Sequence, residues 1–173
     1  MRLVVGCLSA VLSCLAAVAG EERPVLSVAL DATNAGVGLR VPSGGDGVNE
    51  AVSLGGVAAR RLAGKGAGYL YVAVDHPGYR REPADLYVTA EVLDDGVSRI
   101  GVQYDRAAEH PNVGTCYTAA EATYLLVGSG RWRTLCFFLP QARLGHGQNL
   151  GADFRFSAAH AAFRRISVTA ACP

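Results

Sequence analysis

Seven side chains of this chain are of the types that hold a polyhydroxylated ring. Trp132, Tyr71 and Tyr87 offer flat faces for the apolar C–H side of a sugar, and Gln148, Asn149, Asp153 and Arg155 offer planar polar groups for its hydroxyls. Trp132 opens an apolar run on the parity opposite to Leu135 and Phe137. It is therefore either an exposed platform or a ring packed over a sheet edge or under a loop, and the high average burial of large aromatics favours packing. Tyr71 and Tyr87, like Tyr69, fall on the parity opposite to the aliphatic residues of their runs, where cross-strand tyrosines can equally stabilise a sheet. Gln148, Asn149, Asp153 and Arg155 form the densest polar cluster in the chain, and the usual fate of such groups is to tie a loop down through bonds to backbone.

Catalytic constellations find no support in the spacing. His76, His110, His146 and His160 stand at neither H-x-x-x-H nor H-E-x-x-H spacing, and no G-x-S-x-G elbow occurs. Asp94 and Asp95 are adjacent before Gly96, which reads as turn chemistry rather than as a glycosidase acid pair. The glycines at 64, 66 and 68 precede an apolar alternating run rather than a helix, so they do not cradle a phosphate. No D-x-D-x-D-G arrangement appears, so structural calcium has no motif behind it and no cofactor or metal is expected.

The elements that must position these groups are strands. Apolar residues recur with period two over 25–30, 57–62, 69–74, 86–92, 100–104, 122–126, 132–139, 153–156 and 163–170, with Gly, Pro, Asp and Asn between. Asp94-Asp95-Gly96 and Gly128-Ser129-Gly130 read as hairpin turns, and the stretches 42–56 and 107–118 as the longest irregular loops. No long window keeps a helical stripe with caps, so the expected fold class is all-β: a two-sheet antiparallel β-sandwich of jelly-roll type.

Arg2 followed by an apolar run to Val18, with Ala17 and Ala19 at the end, predicts a secretory signal peptide over residues 1–19. The run is shorter than the roughly 20 residues of a membrane span, so membrane insertion after its removal is not expected. Val11-Leu12-Ser13-Cys14 loosely resembles a lipobox, a competing route that would anchor the chain through Cys14. Residues 20–173 suit a single domain, secreted, periplasmic or at the cell surface. Sixteen basic against fifteen acidic residues, with Arg2 in the leader, leave a balanced remainder that gives nucleic acid no field to follow. Cys116, Cys136 and Cys172 remain, and in an oxidising compartment strand parity favours Cys116 with Cys136 as a disulfide.

Beyond composition, several segments carry a resemblance. Gly38-Leu39-Arg40, Asp46-Gly47, Gly55-Gly56, Tyr69-Leu70-Tyr71, Val74-Asp75, Gly101-Val102-Gln103-Tyr104-Asp105, Gly128-Ser129-Gly130-Arg131-Trp132, Leu139-Pro140-Gln141-Ala142-Arg143 and the run 148–155 together resemble galactose-binding-like, carbohydrate-binding-module-like domains of secreted bacterial glycoside hydrolases. The resemblance implies a jelly-roll sandwich that adheres to a polysaccharide, is not itself an enzyme, and works beside a secreted glycoside hydrolase. The chain departs from that pattern at His146-Gly147, where Asn-Arg is expected, and at Leu150, where Gly is expected. Those departures keep open a second expectation, an envelope-associated structural or protein-interaction sandwich without sugar binding.

Overall fold

The computed structural model describes residues 23–63, 67–107 and 115–173. The leader at 1–19, the lipobox, His110 and the glycines at 64 and 66 lie outside them. Among the described residues twelve strands form two antiparallel sheets: β1 (Leu26–Ala29), β2 (Gly36–Val37), β3 (Leu39–Arg40), β4 (Asn49–Leu54), β5 (Val57–Leu62), β6 (Ala67–Val74), β7 (Ala84–Asp94), β8 (Val97–Tyr104), β9 (Thr118–Val127), β10 (Arg131–Ala142), β11 (Phe154–Ala159) and β12 (Ala162–Thr169). One sheet runs β10-β7-β12-β1-β2, with the β4–β5 hairpin joined to β12; the other runs β3-β6-β11-β8-β9.

Period-two alternation sets what lies between the sheets. Leu135, Phe137 and Leu139 of β10, Leu86, Val88, Ala90 and Val92 of β7, and Ile166 and Val168 of β12 are buried against Leu70, Val72 and Val74 of β6 and Phe154 and Phe156 of β11. Phe137 and Phe156 meet edge to face at 5.7 Å across the layers, one of the contacts that fix how the two sheets sit.

The expected sandwich is present, and each of the nine expected runs falls wholly or mostly on a strand. Three expectations are corrected. The turns at 94–96 and 128–130 do not join paired strands: β7 and β10 belong to one sheet and β8 and β9 to the other, so both turns are arches that carry the chain between layers. The Asp94 carboxylate locks the two arches together by accepting from the backbone N–H groups of Val127 and Gly128 and from the Ser129 hydroxyl, each at 2.7 Å. The stretch 42–56 is not an irregular loop throughout, since it contains β4, which pairs with β5 in register from Asn49 opposite Leu62 to Leu54 opposite Val57.

The third correction concerns the three cysteines among the described residues, Cys116, Cys136 and Cys172, which are free thiols. Cys136 points away from the core as its parity requires, on the outer face of the β10-β7-β12 sheet opposite Thr89. Cys116 belongs to a short 3₁₀ turn, Thr115–Tyr117, next to the other sheet, where its sulfur lies by Gly147 near the Asp105 carboxylate. Cys172 does not follow the inward parity of β12, because the strand ends at Thr169 and the Thr169 hydroxyl accepts the Ala171 N–H in a turn that leaves Cys172 exposed.

Candidate functional site

Two groups of side chains stand out, on opposite outer faces. The first gathers five of the seven sequence candidates. Tyr71, Arg155 and Gln103 are cross-strand partners on β6, β11 and β8, so their side chains form a row on the outer face of that sheet. The Arg155 guanidinium lies 3.6 Å from the Tyr69 ring centroid and 4.2 Å from that of Tyr117, so it is stacked by two aromatics. Its Nε donates to Gln103 Oε1 at 2.8 Å and its Nη1 to the Tyr71 hydroxyl at 2.7 Å, with Asp46 at 3.7 Å. The Tyr71 hydroxyl donates to Asp46 at 3.1 Å and accepts from Asn149 Nδ2 at 3.4 Å. Burial pushes the Tyr71 hydroxyl above its ordinary pKa, against the pull of Arg155.

The centre of this knot, Tyr71 and Arg155, is buried. Tyr71 is fully buried, not exposed, because the turn at 45–47 lies on its ring, and a Cβ on Gly47 would come within 2.4 Å of that ring, which leaves glycine as the residue that fits. Gln148 donates to the carbonyls of Gln103 and Cys116, so its amide ties the loop at 146–151 to the sheet as the polar-cluster expectation held. Asp153 is fully buried rather than outward-facing, and accepts from the N–H groups of Val74 and His146 at 2.7 Å each. Desolvation raises its pKa, opposed by those two bonds and by the nearby imidazole. Gln148 Oε1 and Asp105 Oδ1 are buried without a partner among the described residues. No three His, Cys, Asp or Glu side chains among the described residues converge as metal ligands.

The second group is open. On the opposite sheet, Trp132 of β10 stands opposite Leu93 of β7, which stands opposite Ala162 of β12, which stands opposite Arg61 of β5. Trp132 is half-buried and lines a cleft of about 530 Å³ with Arg61, Leu93, Asp95, Gly130 and the hairpin tip at Leu54, Gly55 and Val57. Such a volume lies within the range of small-ligand clefts, roughly 300–1,000 Å³. A register shift between Phe163 and Arg165 inserts Arg164 as an extra residue, and its guanidinium lies 4.8 Å from the Trp132 ring centroid while Nε donates to Glu91. Arg61 Nη2 donates to Asp95 Oδ2 at 2.9 Å, and among the described residues Arg61 Nε is buried without a partner.

Tyr87 lies elsewhere on this outer face, half-buried with its ring 5.0 Å from that of Phe138, which is itself exposed. The sequence candidates are thus split between a polar knot with a buried centre and exposed Asp46 and Asn149 at its rim, an open cleft and a surface aromatic pair. Arg61 and Arg164 carried no signal in the sequence, because only register and the inserted residue bring them beside Trp132. Asp95 was visible only as a turn residue. Both adjacent aspartates are engaged: Asp94 accepts from three donors and Asp95 accepts from Arg61.

The fold and the cleft define the chain as a two-sheet antiparallel β-sandwich with an open aromatic and charged cleft on one outer face. No family model and no curated protein matches it. Among solved structures it is similar to the K1 cleaved adhesin domain of Lys-gingipain from Porphyromonas gingivalis, with a TM-score of 0.48 and 11% identity over 87% of this chain and 100% of that one. It is also similar to a carbohydrate-binding module from Cellvibrio mixtus lichenase 5A, solved in complex with cellotriose, with a TM-score of 0.40 and 10% identity over 84% of this chain and 97% of that one. The fold assignment here rests on the sheets themselves.

Proposed function

We propose that this chain is an exported, non-catalytic carbohydrate-binding module that holds a polysaccharide in the Trp132 cleft, beside a secreted glycoside hydrolase. The observation that carries the reading is one cleft lined by an aromatic ring and by the Arg61–Asp95 ion pair. The ring suits the C–H face of a pyranose, and the charged pair suits its hydroxyls. Export through the leader at 1–19 belongs to the same proposal and is supported by the residue pattern alone.

A second reading, a protein-contact sandwich, is favoured by a different feature. Val97 and Val127 are cross-strand partners, 83% and 62% exposed, with Leu125 close by on β9 at 52%. Affinity electrophoresis in gels containing soluble polysaccharides tests the first reading: the protein is retarded by at least one glycan, and Trp132→Ala loses the retardation while keeping its unfolding midpoint. No retardation on any glycan leaves the protein-contact reading in its place.

A further inference from the structure

The Trp132 cleft does not stand alone. A second cleft of about 410 Å³ adjoins it, lined by Gly96, Val97, Ser98, Leu126 and His160. The two share Arg61 and Asp95, so the ion pair between those residues is a saddle with an open space on either side. The first cleft lies on the outer face of one sheet. The second lies where the 95–96 arch and the His160 turn carry the chain into the other sheet, so the joined groove leads around the end of the sandwich.

A single sugar held on Trp132 would have no use for the second cleft. A chain of sugars is extended, polar along both edges and repeating, so one unit can sit on Trp132 while the next crosses the saddle. The donors on the saddle suit that crossing. Arg61 Nη2 donates to Asp95 across the saddle, and with side chains 35% and 30% exposed the pair stays open to the hydroxyls of a chain lying on it. The far side offers the exposed His160 ring and the Val97 side chain. Gly96 supplies a floor without a side chain, and a Cβ built there meets nothing within 4 Å.

We infer that the module recognises an oligosaccharide chain rather than a terminal sugar, threaded over the Arg61–Asp95 ion pair from the Trp132 cleft into the His160 cleft. This rests on the carbohydrate reading above. Two contacts on one chain raise affinity by making the second contact intramolecular.

Calorimetric titration of the full chain with ladders of gluco-, xylo-, manno- and galacturono-oligosaccharides, from single sugar to hexasaccharide, tests it. In the ladder that binds, affinity rises by about tenfold or more once the chain outgrows the first cleft, and then levels off. Gly96→Trp fills the second cleft at an open position; it removes that rise and leaves short-chain affinity unchanged. His160→Asn keeps a residue suited to the left-handed backbone at φ 56° and weakens only the longer chains. Affinity that is flat with length, or a rise that survives both variants, overturns the two-cleft inference and leaves the carbohydrate reading standing. Absence of binding across every ladder overturns both.

Discussion

The Arg155 guanidinium lies face-on to the Tyr69 ring, 3.6 Å from its centroid, and donates to Tyr71 and Gln103 on the strands either side of its own. A cation desolvated between aromatics and hydrogen-bonded at two nitrogens behaves as a structural rivet, because removing it takes the donor from Gln103 Oε1 and the shortest of the bonds to the Tyr71 hydroxyl. Arg155→Met is expected to cost about 3 kcal/mol, the sum of a desolvated cation–π contact and charge-assisted hydrogen bonds. Arg155→Lys recovers little, since an ammonium cannot stack and fork together. Thermal unfolding measures both. Glycan retardation well below the midpoint should stay at the parent level, which separates this knot from the Trp132 cleft; lost binding with unchanged stability would move the site to Arg155.

The strands were legible because a half-buried sheet writes period two into the chain, as in Leu70, Val72 and Val74 or Leu86, Val88 and Ala90. Which sheet each strand joins was not. Asp94-Asp95-Gly96 supplies the same turn chemistry whether the chain returns beside itself or arches to the other layer, and only the partners of β7 and β8 decide. β4 was hidden because most of Asn49–Leu54 is exposed or half-exposed on both faces, so no apolar alternation marks it. Parity put Tyr71 on the outer face and left open whether it was a platform or a sheet-stabilising ring; a side chain there is free only if no loop lies on it, and here the 45–47 turn does. The cleft pairs Arg61 with Trp132 across four strands, a relationship that resides in register rather than in local residue types.

Both departures from the resembled motif fall on left-handed backbone. His146 has φ 57° and Leu150 φ 61°, the region in which asparagine and glycine are at ease and a branched side chain is strained. Leu150 is 39% exposed, so it has limited burial to lose. Leu150→Gly is expected to stabilise by about 0.5–1 kcal/mol, the left-handed penalty less the added chain entropy. His146→Asn should do the reverse despite easier backbone, because it removes the ring whose Nδ1 lies 2.8 Å from the Gly151 carbonyl and 3.3 Å from the buried Asp153 carboxylate. Chemical denaturation midpoints of the two variants report these signs. A gain for His146→Asn would mean that the ring contributes less than the strain.

The cysteines predict a chain that does not depend on a disulfide between Cys116 and Cys136. Among the described cysteines, alkylation of the native protein without reductant is expected to label Cys172 first, since of the three it alone is exposed, with the half-buried Cys116 and Cys136 following on unfolding. Intact mass before and after reduction should be identical. A linked peptide containing Cys116 and Cys136 would show that the turn at Thr115–Tyr117 and strand β10 approach each other in a state other than this one.

Asp94 makes the arch lock dependent on pH. Burial favours its neutral form, but the Ser129 hydroxyl and the N–H groups of Gly128 and Val127 favour the carboxylate more, so its pKa is lowered from the ordinary 3.8. At pH values well above 3.8 the carboxylate is ionised in folded and unfolded chains alike, and its stabilisation is complete. As pH falls below that value the unfolded chain takes the proton first, and the advantage fades until the folded carboxyl is protonated too. Asp153, with its raised pKa, contributes with the opposite sign, favouring the fold at low pH and less so as pH rises through its folded pKa, so the parent's curve alone mixes the two. Asp94→Asn isolates the lock: the variant keeps one acceptor oxygen, is less stable than the parent at neutral pH, and draws level with it on acidification. Unfolding midpoints of both proteins from about pH 2 to pH 7 measure that convergence. Parallel curves would show that the arches are held by backbone geometry, notably the Gly130 N–H donating to the Asp94 carbonyl at 2.7 Å, rather than by the charge.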